Sequence, residues 1–195
     1  MTWSADQERR EVAALAARYI AEGGLDYGSA KSKAVRELFD GRAPRSAIPD
    51  NDEVDEALRE HLELFDEGHA ERVQRMREVA LELMAQLAEF SPLLTGAAWK
   101  GIVSEHAPIH LQLFHDNAKE VEYWLLNRNI PFDVDTIQHF QRKPDVEALM
   151  FEWRREPVLM SIYTHDDLRG ALKPGNQGPV RGDRKALLAR MQETS

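Results

Sequence analysis

Residues 93–114, LLTGAAWKGIVSEHAPIHLQLF, are where the periodicity of the chain changes. Before them, apolar residues return every three or four positions, as they do along one face of a helix. Within them they form two short strand-like runs, 93–99 and 109–114, joined by a polar, Gly-containing connection. In the second run Ile109, Leu111 and Leu113 point to one side of a strand and His110, Gln112 and Phe114 to the other. A sheet must therefore be built from residues after about 92, behind a helical first half.

On the N-terminal side, Ser4 followed by Gln7 reads as a capping box, and Val12, Leu15, Ala16, Tyr19 and Ile20 share one helical face up to Gly23-Gly24. Residues 30–39 give a second, shorter helix, followed by the turn-rich stretch DGRAPRSAIPDN. From Asp50 or Asn51 as N-cap, Val54, Leu58, Leu62 and Phe65 mark a third. A longer fourth helix follows from Val73 to Phe90, closed by Ser91-Pro92.

On the C-terminal side, Asn117 with Glu120 opens an amphipathic helix through Val121, Trp124 and Leu125. The segment PFDVDTIQHF reads as a strand, and VEALMFEWRREPVLMSIY as a hairpin turning near Arg154-Arg155. The Gly- and Pro-rich stretch LKPGNQGPVRGDRK predicts a mobile loop, with a short helix on Ala186, Leu187 and Met191 after it. The fold class is thus α+β, with an N-terminal helical half followed by a small mixed β-sheet and its covering helices. Three regions are expected: helical 1–91, an αβ core over 92–168, and a flexible loop with a terminal helix over 169–195.

With 195 residues, no cysteine and a net charge of −9, the chain has the size of one medium domain or two small ones. Lack of Cys excludes disulfides, thiolate metal sites and Cys nucleophiles, and fits a reducing compartment. No apolar run approaches the length needed to span a bilayer, so a cytoplasmic protein without membrane contact is expected. Ten acids against the single Arg59 crowd residues 50–71 and account for the whole net charge, whereas residues 169–190 carry six basic residues against Asp183. The acidic balance argues against nucleic acid as a partner. The 50–71 segment is instead a candidate surface for a protein partner or self-association, including pairing with the basic tail. The GxxxxGK[ST], GxGxxG and GxSxG patterns are all absent, which takes most of the weight from the enzyme classes they serve.

An apolar residue, a Gly turn, a connection of ten residues and then a strand with polar side chains on one face is the pattern of Leu94-Thr95-Gly96-Ala97 and Pro108-Ile109-His110-Leu111. Over residues 92–163 it resembles the polymerase-β-type nucleotidyltransferase superfamily. The resemblance implies that Thr95, Gly96, Ala97 and Lys100 lie against a nucleotide, with Lys100 as counter-charge to phosphate. It also implies paired acids on the strand and a third acid on a later strand, which hold Mg²⁺. Here the paired positions are Pro108 and His110, neither of which replaces a carboxylate as a ligand for a hard cation. The expectation is a nucleotidyltransferase-like protein that binds a nucleotide or other phosphate ligand with its catalytic acids lost or rearranged.

Two other readings stand beside it. An active, nonstandard nucleotidyltransferase would use His110 as general base with Asp133 and Asp135, which alternation puts on one face of their strand. A regulatory or interaction protein would work through its helical half. Its opening run, RREVAALAARYIAEGGLDYGSAKSKAVREL, resembles the start of TetR-type regulators, although no recognition helix follows. His106, His110 and His115, four and five residues apart, form a metal site only if the loop folds them together; otherwise they are surface histidines.

Overall fold

The computed structural model describes residues 4–193. The chain divides into two compact units, one of residues 1–71 with 102–107 and the other of residues 72–101 with 108–195.

The first unit is built on three helices: α1 (Ala5–Gly23), α2 (Tyr27–Phe39) and α3 (Asn51–Phe65). Ser4 caps α1 by accepting the Gln7 N–H at 3.3 Å, and Gly24 ends it in the left-handed region at φ +64°. Helix α2 starts three residues before the expected Ala30, because the Asp26 carboxylate accepts the Ser29 N–H at 2.9 Å and so supplies an earlier N-cap. Asp50 and Glu53 form the reciprocal capping box of α3. The apolar stripes that these caps orient, Val12, Ala16 and Ile20 on α1, Ala30 and Ala34 on α2, and Val54, Leu58 and Leu62 on α3, make one core, which Ile102 completes. Small residues on α1 and α2 let the helices pack closely. Residues 102–107 are tied in by backbone as well, since the Val103 N–H donates to Nε2 of the buried His69 at 3.1 Å.

The second unit takes in most of α4 (His69–Gln86) and the whole sheet. Its strands are β1 (Leu93–Thr95), β2 (Ile109–Phe114), β3 (Phe132–Ile137), β4 (Val146–Trp153), β5 (Glu156–Tyr163) and β6 (Arg181–Gly182). They lie in the order β3-β4-β5-β2-β1-β6; β2 and β5 are parallel and every other neighbouring pair is antiparallel. The helices are α5 (Gly96–Lys100), α6 (Ala118–Leu126), α7 (Leu168–Ala171) and α8 (Arg184–Glu193). The α+β class and the helical-then-sheet order read from the sequence are those of the molecule.

Alternation separates the two faces of this sheet. Ile109, Leu111, Leu113, Leu149, Phe151, Val158, Met160 and Ile162 share one face, all of them buried. The other face carries Thr95, His110, Gln112, Phe114, Ser161, Tyr163, Met150, Asp133 and Asp135. There, Leu93, Phe114, Tyr163 and Ala171 form a core cluster with Phe140, Val146 and Leu168 packed against it, while Asp133 and Asp135 on β3 are exposed.

The expected strand 93–99 is shorter than its apolar run. Gly96 sits at φ +69°, where a strand cannot continue, and Ala97 to Lys100 turn into a helix instead. Buried Arg77 of α4 fastens that helix, with Nε and Nη2 donating to the carbonyls of Ala98 and Trp99 at 2.8 and 3.0 Å. The stretch read as a mobile loop contributes β6, because Trp99 draws it in: the indole N–H donates to the Pro179 carbonyl at 2.8 Å, and Thr95 Oγ1 donates to the Val180 carbonyl at 3.0 Å. Among the described residues no helix is long and apolar enough to cross a membrane.

Candidate functional site

The site forms where β1 ends. Antiparallel pairing sets Thr95 opposite His110 on one side and opposite Arg181 on the other. Arg181, Thr95 and His110 thus form a row across β6, β1 and β2 on one face of the sheet. Gly96 follows at once, and its backbone lies close to the imidazole: a Cβ placed there would be 3.5 Å from His110 Cβ and 3.9 Å from its Nδ1. The Nδ1 edge of His110 faces the Gly96 turn.

On its other edge, His110 Nε2 lies 3.0 Å from Oγ of Ser161, a fully buried side chain on β5. Burial, and then the nearby Arg181 guanidinium, push the His110 pKa down to about 4, so the ring is neutral at pH 7. Next along β2, Gln112 donates through Nε2 to the Tyr163 hydroxyl at 3.3 Å, while its Oε1 is buried without a partner.

Arg181 is the charge of the site. It is half-buried, its Nη1 donates to the Ala171 carbonyl at 2.6 Å, and its guanidinium lies 4.8 Å from the Phe140 ring centroid. Its Nε is buried with no partner, and among the described residues it forms no ion pair. Burial lowers its pKa, the expected response of a cation losing solvent. Beyond Tyr163, Asp167 is different. Burial disfavours its charge, but hydrogen bonds from Lys143 and Thr164, with the His139 ring 3.2 Å away, outweigh that and hold its pKa well below the usual carboxylate range.

No family model matches this chain, and no curated protein matches its sequence.

The residues singled out from sequence go to distinct places. Thr95, Gly96 and His110 come together. Ala97 is the second residue and Lys100 the last of the short helix α5 that leaves the turn. Asp133 and Asp135 share the face of His110, and Asp133 even lies in its cross-strand row through Met150 and Leu159. However, β4 and β5 intervene, so three strand spacings of about 4.8 Å put the acids roughly 14 Å away. Both are exposed on the edge strand, where Asp135 accepts the Thr136 N–H at 2.8 Å. The strand beside β2 is β5, and what it brings to His110 is Ser161.

The three neighbouring histidines also part. His106 packs on Gly24 in the first unit, His110 lies in β2, and His115, past the end of β2, packs edge-on against Phe90. Among the described residues no three His, Asp or Glu side chains are grouped to hold a metal. The donor set at the turn does not fit Mg²⁺ either: Pro108, His110 and Ser161 supply no carboxylate to anchor it, and a protein Mg²⁺ site is held through one or two carboxylates.

Ser161 and Arg181 were not singled out from sequence. Ser161 had a signal as the one small polar residue within the apolar arm PVLMSIY. Arg181 had only its place in the basic tail.

Proposed function

We propose that this chain is a nucleotidyltransferase-like protein that binds a nucleotide through its phosphate groups, with the catalytic acids replaced. The observation that carries the reading is the Gly96 turn set against His110, with Thr95 in register between His110 and Arg181. A glycine at φ +69° leaves the backbone uncovered beside a polar row, which is what close approach of a phosphate requires. The unpaired guanidinium makes the row attractive to an anion. The neutral imidazole adds a hydrogen-bonding group without adding charge. Nothing in the row supplies the oxyanions of two-metal phosphoryl transfer, so binding, rather than nucleotidyl transfer, is the function the geometry supports best.

The test is a thermal shift of the whole chain with ATP and with CTP. A ligand that binds only the folded state raises Tm by mass action. The rise should be reduced in Gly96→Val and in His110→Ala, each compared with its own unliganded melt. Absence of a shift with every nucleoside triphosphate would end the reading.

A further inference from the structure

Given that reading, the open question is what neutralises the phosphates. A polyphosphate brings several negative charges, and a site that binds it must provide positive charge in the same place. The usual device is a divalent cation held by carboxylates. Here the residues at the Gly96 turn and behind it are Pro108, His110 and, on the far edge of the His110 ring, Ser161, none of them a carboxylate, and Asp133 and Asp135 stand three strands away.

Arg181 stands in the same row at the distance of one strand from Thr95 and two from His110. A guanidinium that is half-buried without an anion loses hydration and gains no ion pair in return. The fold tolerates it only through the Ala171 carbonyl and the face of Phe140. Its Nε is aimed at neither of these and is left without a partner. A second polar group on this face is in the same condition: Gln112 is 3% exposed, and one end of its amide has no partner. A bound oxyanion would satisfy the guanidinium and return the electrostatic energy lost on burying it.

We infer that Arg181 occupies the role of the divalent cation, so that this site holds the phosphate groups of a nucleoside phosphate through a guanidinium and requires no metal ion. Arginine suits the task because its planar fork matches two phosphate oxygens at once. The Thr95 hydroxyl, which spends its proton on the Val180 carbonyl, and the Gly96 backbone flank the place where those oxygens would sit.

Calorimetric titration of the whole chain with ATP, inorganic tripolyphosphate and adenosine, each in EDTA and in Mg²⁺, tests this. ATP should bind in EDTA with a Kd within about threefold of that in Mg²⁺, and binding should weaken with added salt. Arg181→Met should raise the Kd by about tenfold or more in both buffers, and Arg181→Lys by less, since it keeps the charge and loses the fork. Should Arg181→Met fail to fold, Arg181→Lys and the salt series on the unaltered chain carry the test. Tripolyphosphate binding as tightly as ATP supports the role of Arg181 and assigns recognition to the phosphate chain; adenosine binding as tightly as ATP overturns it. ATP bound only in Mg²⁺, or bound in EDTA with unchanged Kd in Arg181→Met, overturns the inference and leaves the nucleotide reading standing. No binding in either buffer removes that reading, and this inference with it.

Discussion

His110 Nε2 and Ser161 Oγ, 51 residues apart in sequence, lie 3.0 Å from each other across the parallel pair β2 and β5. The hydroxyl is fully buried, so the imidazole has one edge fixed by the sheet and the other turned to Gly96. A ring held in this way and kept neutral is positioned to exchange a hydrogen bond, and protonating it places a second cation beside Arg181.

That cost sets an acid-stability prediction. The folded pKa of His110 is about 4, below its ordinary 6.5, with burial as the larger cause and Arg181 the smaller. Above pH 6.5 both folded and unfolded chains are neutral there, and the contribution to stability is fully present. As pH falls from 6.5 to 4 the unfolded chain takes up the proton first, and stability is lost, about 3 kcal/mol in all. His110→Gln keeps a partner for Ser161 and removes the titration. Denaturant unfolding at several pH values should show a shallower acid slope for the variant in that window; equal slopes would disprove the assignment.

Gly96 separates backbone strain from steric cost. At φ +69° any side chain is strained, and Gly96→Ala should lose about 1–2 kcal/mol from the backbone alone, because its Cβ meets His110 at an ordinary 3.5 Å. Gly96→Val adds branched methyls beside the imidazole, so it should lose more and also reduce the Tm rise with ATP. Melts of both variants with and without ATP make the comparison.

The fold was legible wherever local chemistry decides structure. Caps at Ser4, Asp50 and Asn117, and apolar stripes on α1, α3 and α4, can be read from a few neighbouring residues. The arrangement of the strands was not. Asp133 and His110 fall on one face, as alternation requires, yet which strand lies beside β2 depends on a parallel pairing between residues about fifty apart. The closeness of Gly96 and His110 was legible because they stand only fourteen positions apart, one just past β1 and the other on the adjoining β2. Ser161 and Arg181 reach them only through the completed sheet.

The hairpin turn offers a stabilising change. Arg154 and Arg155 stand at φ +52° and +67°, the pair of left-handed conformations that a two-residue turn between twisted strands demands. Arg154 is compensated, as its guanidinium donates to Glu82 Oε1 at 2.8 and 3.1 Å. Arg155 is exposed, with strain to relieve. Arg155→Gly should therefore gain about 1 kcal/mol, a rise of about 3 °C in Tm. Arg154→Gly should gain less, since it gives up Glu82. Differential scanning calorimetry ranks the two, and the opposite order would show that the Glu82 contact is worth little.

The last strand depends on a glycine. A Cβ on Gly182 would lie 2.5 Å from Trp99 Cη2 and 2.8 Å from Ala186 Cβ. The ring has no freedom to retreat: it is 3% exposed, its N–H is bonded to Pro179, and the Arg190 guanidinium lies 4.7 Å from its centroid. Gly182→Ala should therefore cost about 2–3 kcal/mol by overpacking, and amide exchange over residues 179–187 should quicken as β6 leaves β1. Because β6 carries Arg181, the same substitution should weaken ATP binding without touching Gly96 or His110. Trp99→Phe frees the space that the alanine needs, so the double variant should be more stable than the two single losses added together. If the losses simply add, the Gly182 contact with Trp99 is not what docks the tail.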